Sequence, residues 1–229
     1  MVSAVVFDLD GTLFDHWSSA RRGLSEWLAG LEVELTKELA NAWFEAEERH
    51  VTHWREGVVS WAEQRRRRLR DFLPLIGVPV GTDGDMDQVF AGGYLLAYER
   101  AWVGYDDVDA ALDAVHDFGV VTAMLTNGVQ EQQEAKLAHL GLLGRIGPVF
   151  TAEGLGVAKP NPQAFHLVCA HLALPPGQVL YVGDDYEVDV LAARAAGLRA
   201  VYLDRVGTGP MTEHNRITTL AELLSYVTG

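Results

Sequence analysis

Two rhythms of apolar and polar residues alternate along this chain. From Ala4 the run Val5-Val6-Phe7 is apolar without a break, the pattern of a short strand buried on both faces, as in a parallel sheet. After Phe14 the spacing changes to i, i+3, i+4: Trp17, Ala20, Leu24, Trp27, Leu28 and Leu31 predict a helix, with Ser18 as its N-cap. A second helix is predicted from Thr36 through Leu39, Trp43 and Ala46. A third opens on Ser60-Trp61-Ala62-Glu63, a capping-box pattern, and ends before Pro74. Gly81 to Asp85 reads as a turn, and a fourth helix runs through Val89, Tyr94, Leu95 and Tyr98. No strand pattern interrupts Asp15 to Trp102, so this stretch is expected to be an all-helical insert.

From Tyr105 helix and strand alternate. Val108, Ala111, Leu112 and Val115 mark a helix, and Val120 to Leu125 a buried strand ending in Thr126-Asn127-Gly128. A helix through Leu137 and Leu140 precedes a short strand at Val149 to Thr151. Lys159, in a Pro-rich loop, leads into a helix holding Phe165, Val168 and Leu172. Val179 to Val182 is a strand ending in Gly183-Asp184-Asp185. Ala192 to Ala196 are helical with Gly197 as cap, Ala200 to Leu203 form a strand, and Leu220 to Tyr226 a closing helix. Such alternation predicts an α/β fold, a Rossmann-like doubly wound parallel sheet with a small all-helical domain inserted: 1–15 and 102–229 as core, 16–101 as cap.

Composition narrows the functions. The 229 residues are 48% hydrophobic and 22% charged, an ordinary globular profile. A net charge of −14 disfavours nucleic acid and anionic membranes as partners. No apolar run approaches the roughly 18 residues of a membrane span, and no basic, cleavable leader opens the chain. The lone cysteine, Cys169, falls in an apolar helical pattern and reads as core packing, consistent with a reducing cytoplasm.

Candidate chemistry gathers at strand ends, where open α/β sheets bind ligands. Asp8 and Asp10 follow the first strand, with Gly11 and Thr12 behind them; Thr126, Lys159 and Asp184 follow in order. The segment Asp8-Leu9-Asp10-Gly11-Thr12 and the order of these residues resemble the haloacid dehalogenase-like hydrolases, a superfamily made mostly of phosphatases. An aspartate is a workable nucleophile toward phosphorus and divides hydrolysis into two displacements. The resemblance implies that Asp8 attacks the phosphoryl group and Asp10 acts as acid and then base. It implies that Asp8, the backbone carbonyl of Asp10 and Asp184 hold Mg²⁺, an ion suited to an all-oxygen site. Lys159, the Thr126 hydroxyl and donors near Asn127 would grip the phosphate, and Asp189 would support a metal-bound water. Asp185 reads as a loop acid or helix cap.

By the same resemblance the insert is a substrate-selecting cap and the substrate a small phosphorylated metabolite, hydrolysed by a cytoplasmic monomer or homodimer. A second acid at Asp10 argues against a 2-haloacid dehalogenase, whose halide leaves without a proton. A sugar phosphomutase would keep the same site, and a non-catalytic binding subunit would have no reason to retain the acids. Phe7 to Asp15 with Arg21-Arg22-Gly23 is locally similar to N-acylneuraminate-9-phosphatases and pyrimidine nucleotidases, too briefly to name a substrate. Within the insert, Arg65 to Arg68 is expected to be a solvated face rather than an anion site. His50 and His53, beside Glu47 and Glu48, lack a third metal ligand at clear spacing. The tryptophans at 17, 27, 43, 54 and 61 are expected in the bundle core, Trp17 excepted because it lies next to the catalytic loop.

Overall fold

The computed structural model describes residues 1–228. The first apolar run forms β1 (Ala4–Phe7), every residue of it buried. The insert follows as α1 (His16–Ala29), α2 (Lys37–Arg55), α3 (Trp61–Phe72) and α4 (Asp83–Val89). A π-type segment over Phe90–Leu95 then carries α4 into α5 (Leu96–Arg100). The remaining elements are α6 (Val108–Asp117), β2 (Val121–Thr126), α7 (Gln130–His139), β3 (Val149–Thr151), α8 (Ala152–Leu155), α9 (Pro162–His171) and β4 (Val179–Gly183). A second π-type segment, Tyr186–Leu191, then leads into α10 (Ala192–Ala195), followed by β5 (Arg199–Leu203), β6 (Arg216–Ile217) and α11 (Leu224–Thr228). The chain falls into two compact units: Met1–His16 with Val103 onward, and Trp17–Trp102.

The first unit is a six-stranded sheet in the order β3-β2-β1-β4-β5-β6, all pairs parallel. The chain builds outward from β1 to β3, then returns to the other side of β1 with β4. The strand order therefore reverses between β1 and β4, the place where open sheets form their ligand crevice. Phe7 pairs with Val182 and with Met124, so the ends of β1, β4 and β2 lie nearly level. Buried Val6, Leu125, Phe165, Val168 and Val190 belong to the apolar layer on one sheet face, and Cys169 is buried among them.

The second unit is wholly helical, and its core is aromatic. Trp43 is fully buried, with ring centroids 4.4 Å from Tyr94, 4.9 Å from Phe72 and 5.5 Å from Trp27. Trp17 is exposed and rests on Phe44, while Trp54 and Trp61 pair with each other, partly buried.

Several local expectations need correction. Ser18 lies inside α1, not at its cap. Ser60 caps α3 by accepting from Glu63 N, but the Glu63 side chain turns to Arg67 and Arg70 instead of closing the box. A complete capping box lies at Thr82 and Asp85, so most of the expected turn is the first turn of α4. The Arg65–Arg68 run is not a solvated face throughout. Arg68 is buried, paired with Glu47 at 3.0 Å and stacked 4.5 Å over the Trp43 ring, because the aromatic core accepts a guanidinium flat on its face. His50 bonds Asp71 at 2.7 Å and belongs to no cluster of three metal-ligating side chains among the described residues.

Candidate active site

The site begins where β1 ends. Asp8 N donates to the Val182 carbonyl, the last ladder bond toward β4, and the chain then leaves the sheet. The following loop closes on itself, Gly11 N donating to Phe14 O and Phe14 N to Leu9 O. Gly11 adopts φ +86°, and a Cβ there would lie 2.0 Å from Asp184 Oδ2, so a side chain is excluded on two grounds. Asp184 follows β4, and a carboxylate oxygen from each of Asp8, Asp184 and Asp189 lies within 4.8 Å of the others.

Lys159 enters from the loop before α9. Its Nζ donates to Asp8 Oδ1 and Asp189 Oδ1, both at 2.6 Å, and to the Tyr181 hydroxyl at 2.8 Å. Tyr181 Oη lies 3.0 Å from the Leu125 carbonyl, to which it donates, and 3.2 Å from Asp189 Oδ1. The Lys159 backbone is held by Asn127, whose Oδ1 accepts from Lys159 N and whose Nδ2 donates to Lys159 O, both at 2.8 Å. The Asn127 side chain therefore ties the lysine loop. Asp185 caps the segment after β4, accepting from Glu187 N and Val188 N.

Asp10 faces another way. Its Oδ1 accepts from Lys136 Nζ at 2.5 Å and its Oδ2 from Gln133 Nε2 at 3.1 Å. Gln133 Nε2 also donates to Thr126 Oγ1 at 2.9 Å. Lys136 and Gln133 lie on α7, buried at i and i+3 with Leu137 at i+4. Apolar spacing marks this helix only through Leu137 and Leu140, so the sequence does not single out these two residues, nor Tyr181. The available signal is polar side chains sharing the apolar face of a helix that follows a candidate phosphate-binding strand end.

Electrostatics separate the two leading carboxyls. Burial pushes Asp8 up to about 7; Lys159 opposes the rise, and Asp189 adds to it. Burial, then the charges of Asp8 and Asp189, push Asp184 up to about 8. Burial also acts to raise Asp10, but the Lys136 charge, His16 and the two hydrogen bonds outweigh it and hold that carboxyl at about 2. Lys159 stays charged above the usual lysine range, because Asp189 and Asp8 overcome its desolvation.

Three clustered carboxylates against one ammonium leave the β1/β4 crevice short of positive charge. A divalent metal ion fits that deficit and the oxygen-only donor set. Both Asp189 oxygens already accept hydrogen bonds, Oδ1 from Lys159 and Oδ2 from Asp185 N. Asp8 Oδ2 and the Asp184 carboxylate are therefore the side-chain oxygens of the cluster best able to hold such an ion. The Asp10 carboxylate is not in this cluster.

A family model described as haloacid dehalogenase-like hydrolase matches residues 2–197. The chain belongs to this family. It is 30% identical over 158 residues to a phosphoserine phosphatase of Thermus thermophilus, a match covering 69% of this chain and 61% of that relative's length. It is 29% identical over 243 residues to a ribulose-1,5-bisphosphate 5-phosphatase of Halopiger xanaduensis, covering 99% and 100% of the two chains. Its fold matches the magnesium-bound HAD-hydrolase YfnB of Bacillus subtilis with a TM-score of 0.85 at 20% identity, over 100% and 99% of the two chains. Both phosphatases and 2-haloacid dehalogenases stand among its relatives. This HAD hydrolase is an enzyme, with a Rossmann-like core, a helical cap region and an aspartate cluster able to hold a metal. Among the described residues no helix is long and apolar enough to cross a membrane.

Proposed function

We propose that this HAD hydrolase is a Mg²⁺-dependent phosphatase that cleaves a small phosphomonoester through an aspartyl-phosphate on Asp8. The observation that carries the reading is the division of labour between two carboxyls two residues apart. Asp8 is buried against Lys159, whereas Asp10 is held on the other side by Lys136 and Gln133. Two carboxyls two residues apart but held by different partners can take separate roles, one bonding phosphorus and the other exchanging protons.

In this reading Asp8 attacks phosphorus and the ester P–O bond breaks, while Asp10, ionised before substrate binds, takes the proton carried by the monoanionic ester and passes it to the leaving alkoxide. A water then attacks the phosphorus of the aspartyl-phosphate, Asp10 takes its proton, and the bond to Asp8 breaks to release phosphate. Lys159 and the Thr126 hydroxyl bind the phosphoryl oxygens and compensate their charge. When bound by Asp8, Asp184 and the Asp10 carbonyl, Mg²⁺ supplies the positive charge that lets two anions approach. Residues 16–101, the proposed cap, are the place for substrate selection.

The likeness to phosphatases supports this reading, as does Asp10, because a halide would depart without a proton. The test is phosphate release from an aryl phosphate and a panel of metabolite esters, with Asp8→Asn and EDTA as controls. Release is expected to need both Asp8 and metal. A phosphorylated isomer appearing in place of free phosphate would indicate a mutase, and no turnover across the panel would contradict the proposal.

A further inference from the structure

The clamp on Asp10 is built from residues outside the sequence motif that contains it. Gln133 and Lys136 are buried to 1% and 3% exposure, expensive locations for an amide and an ammonium unless their partners matter. Each grips a different oxygen of Asp10, so together they fix the position and the rotation of the carboxylate. The Lys136 ammonium also sits 4.6 Å from the centroid of Phe14, in the same loop as Asp10. Gln133 lies flat on Gly128, where a Cβ would come within 2.1 Å of its Nε2; any larger residue at 128 would displace the amide.

The same Gln133 nitrogen has two hydrogens, and it spends one on Asp10 and the other on Thr126 Oγ1. Thr126 Oγ1 also accepts from Gly128 N at 3.3 Å. With both acceptor positions filled, the threonine hydroxyl is oriented to donate its own proton, as a phosphate ligand must. A single amide thus couples the orientation of the acid–base carboxylate to that of the phosphate-binding hydroxyl.

We infer that Lys136 and Gln133 are positioning residues that hold the Asp10 carboxylate and the Thr126 hydroxyl in register, the first for proton transfer to the leaving oxygen and from the attacking water, the second for gripping the phosphoryl group. This rests on the phosphatase reading above and assigns Asp10 its supporting structure. The two chemical steps depend on the clamp differently. Transfer of phosphoryl from an aryl ester with a stable aryloxide leaving group needs little help from an acid. Transfer from an alkyl ester needs Asp10 to protonate the alkoxide, and hydrolysis of the aspartyl-phosphate needs Asp10 as base.

The experiment compares wild type, Lys136→Met, Gln133→Leu and the charge-conserving Lys136→Arg, with Mg²⁺, on 4-nitrophenyl phosphate and on a simple alkyl phosphate. Single misplaced catalytic groups cost on the order of 10²-fold. For Lys136→Met and Gln133→Leu, kcat on the aryl ester is expected to fall about tenfold to a hundredfold, with KM falling in parallel. Their kcat/KM on that ester stays within about threefold of wild type, a pre-steady-state burst of nitrophenolate appears, and kcat/KM on the alkyl ester drops by about the same factor as kcat. Lys136→Arg restores part of the loss. A general structural role would lower kcat/KM on both esters alike and leave no burst, and that result, or unchanged kinetics, overturns the inference. Should Lys136→Met fail to fold, Gln133→Leu carries the same test. Absence of Asp8-dependent turnover in the wild type would instead refute the phosphatase reading itself.

Discussion

Lys159 donates to three oxygens within 2.8 Å, two of them on carboxylates, and its backbone is bonded at both ends of the Asn127 amide. Removing its charge strands Asp8 and Asp189 in a buried setting. Breaking a buried ion pair by deleting one partner typically costs about 3–5 kcal/mol. Lys159→Met is therefore expected to lose stability of about that size in urea unfolding without metal, along with its activity. A loss under about 1 kcal/mol would mean that the two acids are neutral or solvated there. The sequence exposes Lys159 through its place in the motif order, but Tyr181 is hidden in it as one more apolar-looking strand residue. Its role comes only from β4 lying beside β1, which puts its hydroxyl between the lysine and the Leu125 carbonyl.

Among elements, the loop after β1 is tied to the C-terminal part of the core through Arg205. Its guanidinium makes two bonds at 2.9 Å to Asp107, donates to the Thr12 carbonyl at 2.8 Å, and stacks 3.7 Å from the Tyr105 ring centroid. Asp107 also accepts from Thr219 Oγ1 and Leu220 N. Burial works to raise the Asp107 carboxyl, but Arg205, Thr219 and Leu220 outweigh it and hold it below the usual range. A carboxyl depressed in the folded state stabilises above its unfolded value, near pH 4, and that contribution is lost as pH falls through the folded value. Asp107→Asn is thus expected to lower the thermal midpoint at pH 7, with the gap to wild type narrowing as the pH drops below about 4. An equal gap at both ends of that range would show that the bonds, not the charge, supply the effect. Periodicity makes α2, α3 and the strands legible. It fails where a cap or a short strand is decided by distant partners: β6 has two residues and exists because Tyr202 and Leu203 of β5 offer it an edge.

For the whole molecule, the net charge of −14 means that an anionic substrate meets attraction only where positive charge is concentrated. At the end of β1 Lys159 alone does not offset the three acids, so a metal ion held by them would have to supply that charge, while Lys136 stands by Asp10. The fold class and the ordered strand-end residues are readable because parallel-sheet topology maps sequence order onto one edge. The clamp on Asp10 is not, because a buried Gln and Lys on α7 look like surface residues until the helix is seen packed on its Gln133–Lys136–Leu137 face. In the proposed reaction phosphorus becomes bonded to Asp8. The direct measurement is acid quenching of Asp10→Asn during reaction with an aryl phosphate and Mg²⁺, followed by mass spectrometry of the peptide holding residue 8. A phosphoryl group on Asp8, absent from the same variant carrying Asp8→Asn, is the predicted result. Release of the aryl alcohol with no phosphoryl group on that peptide would contradict it.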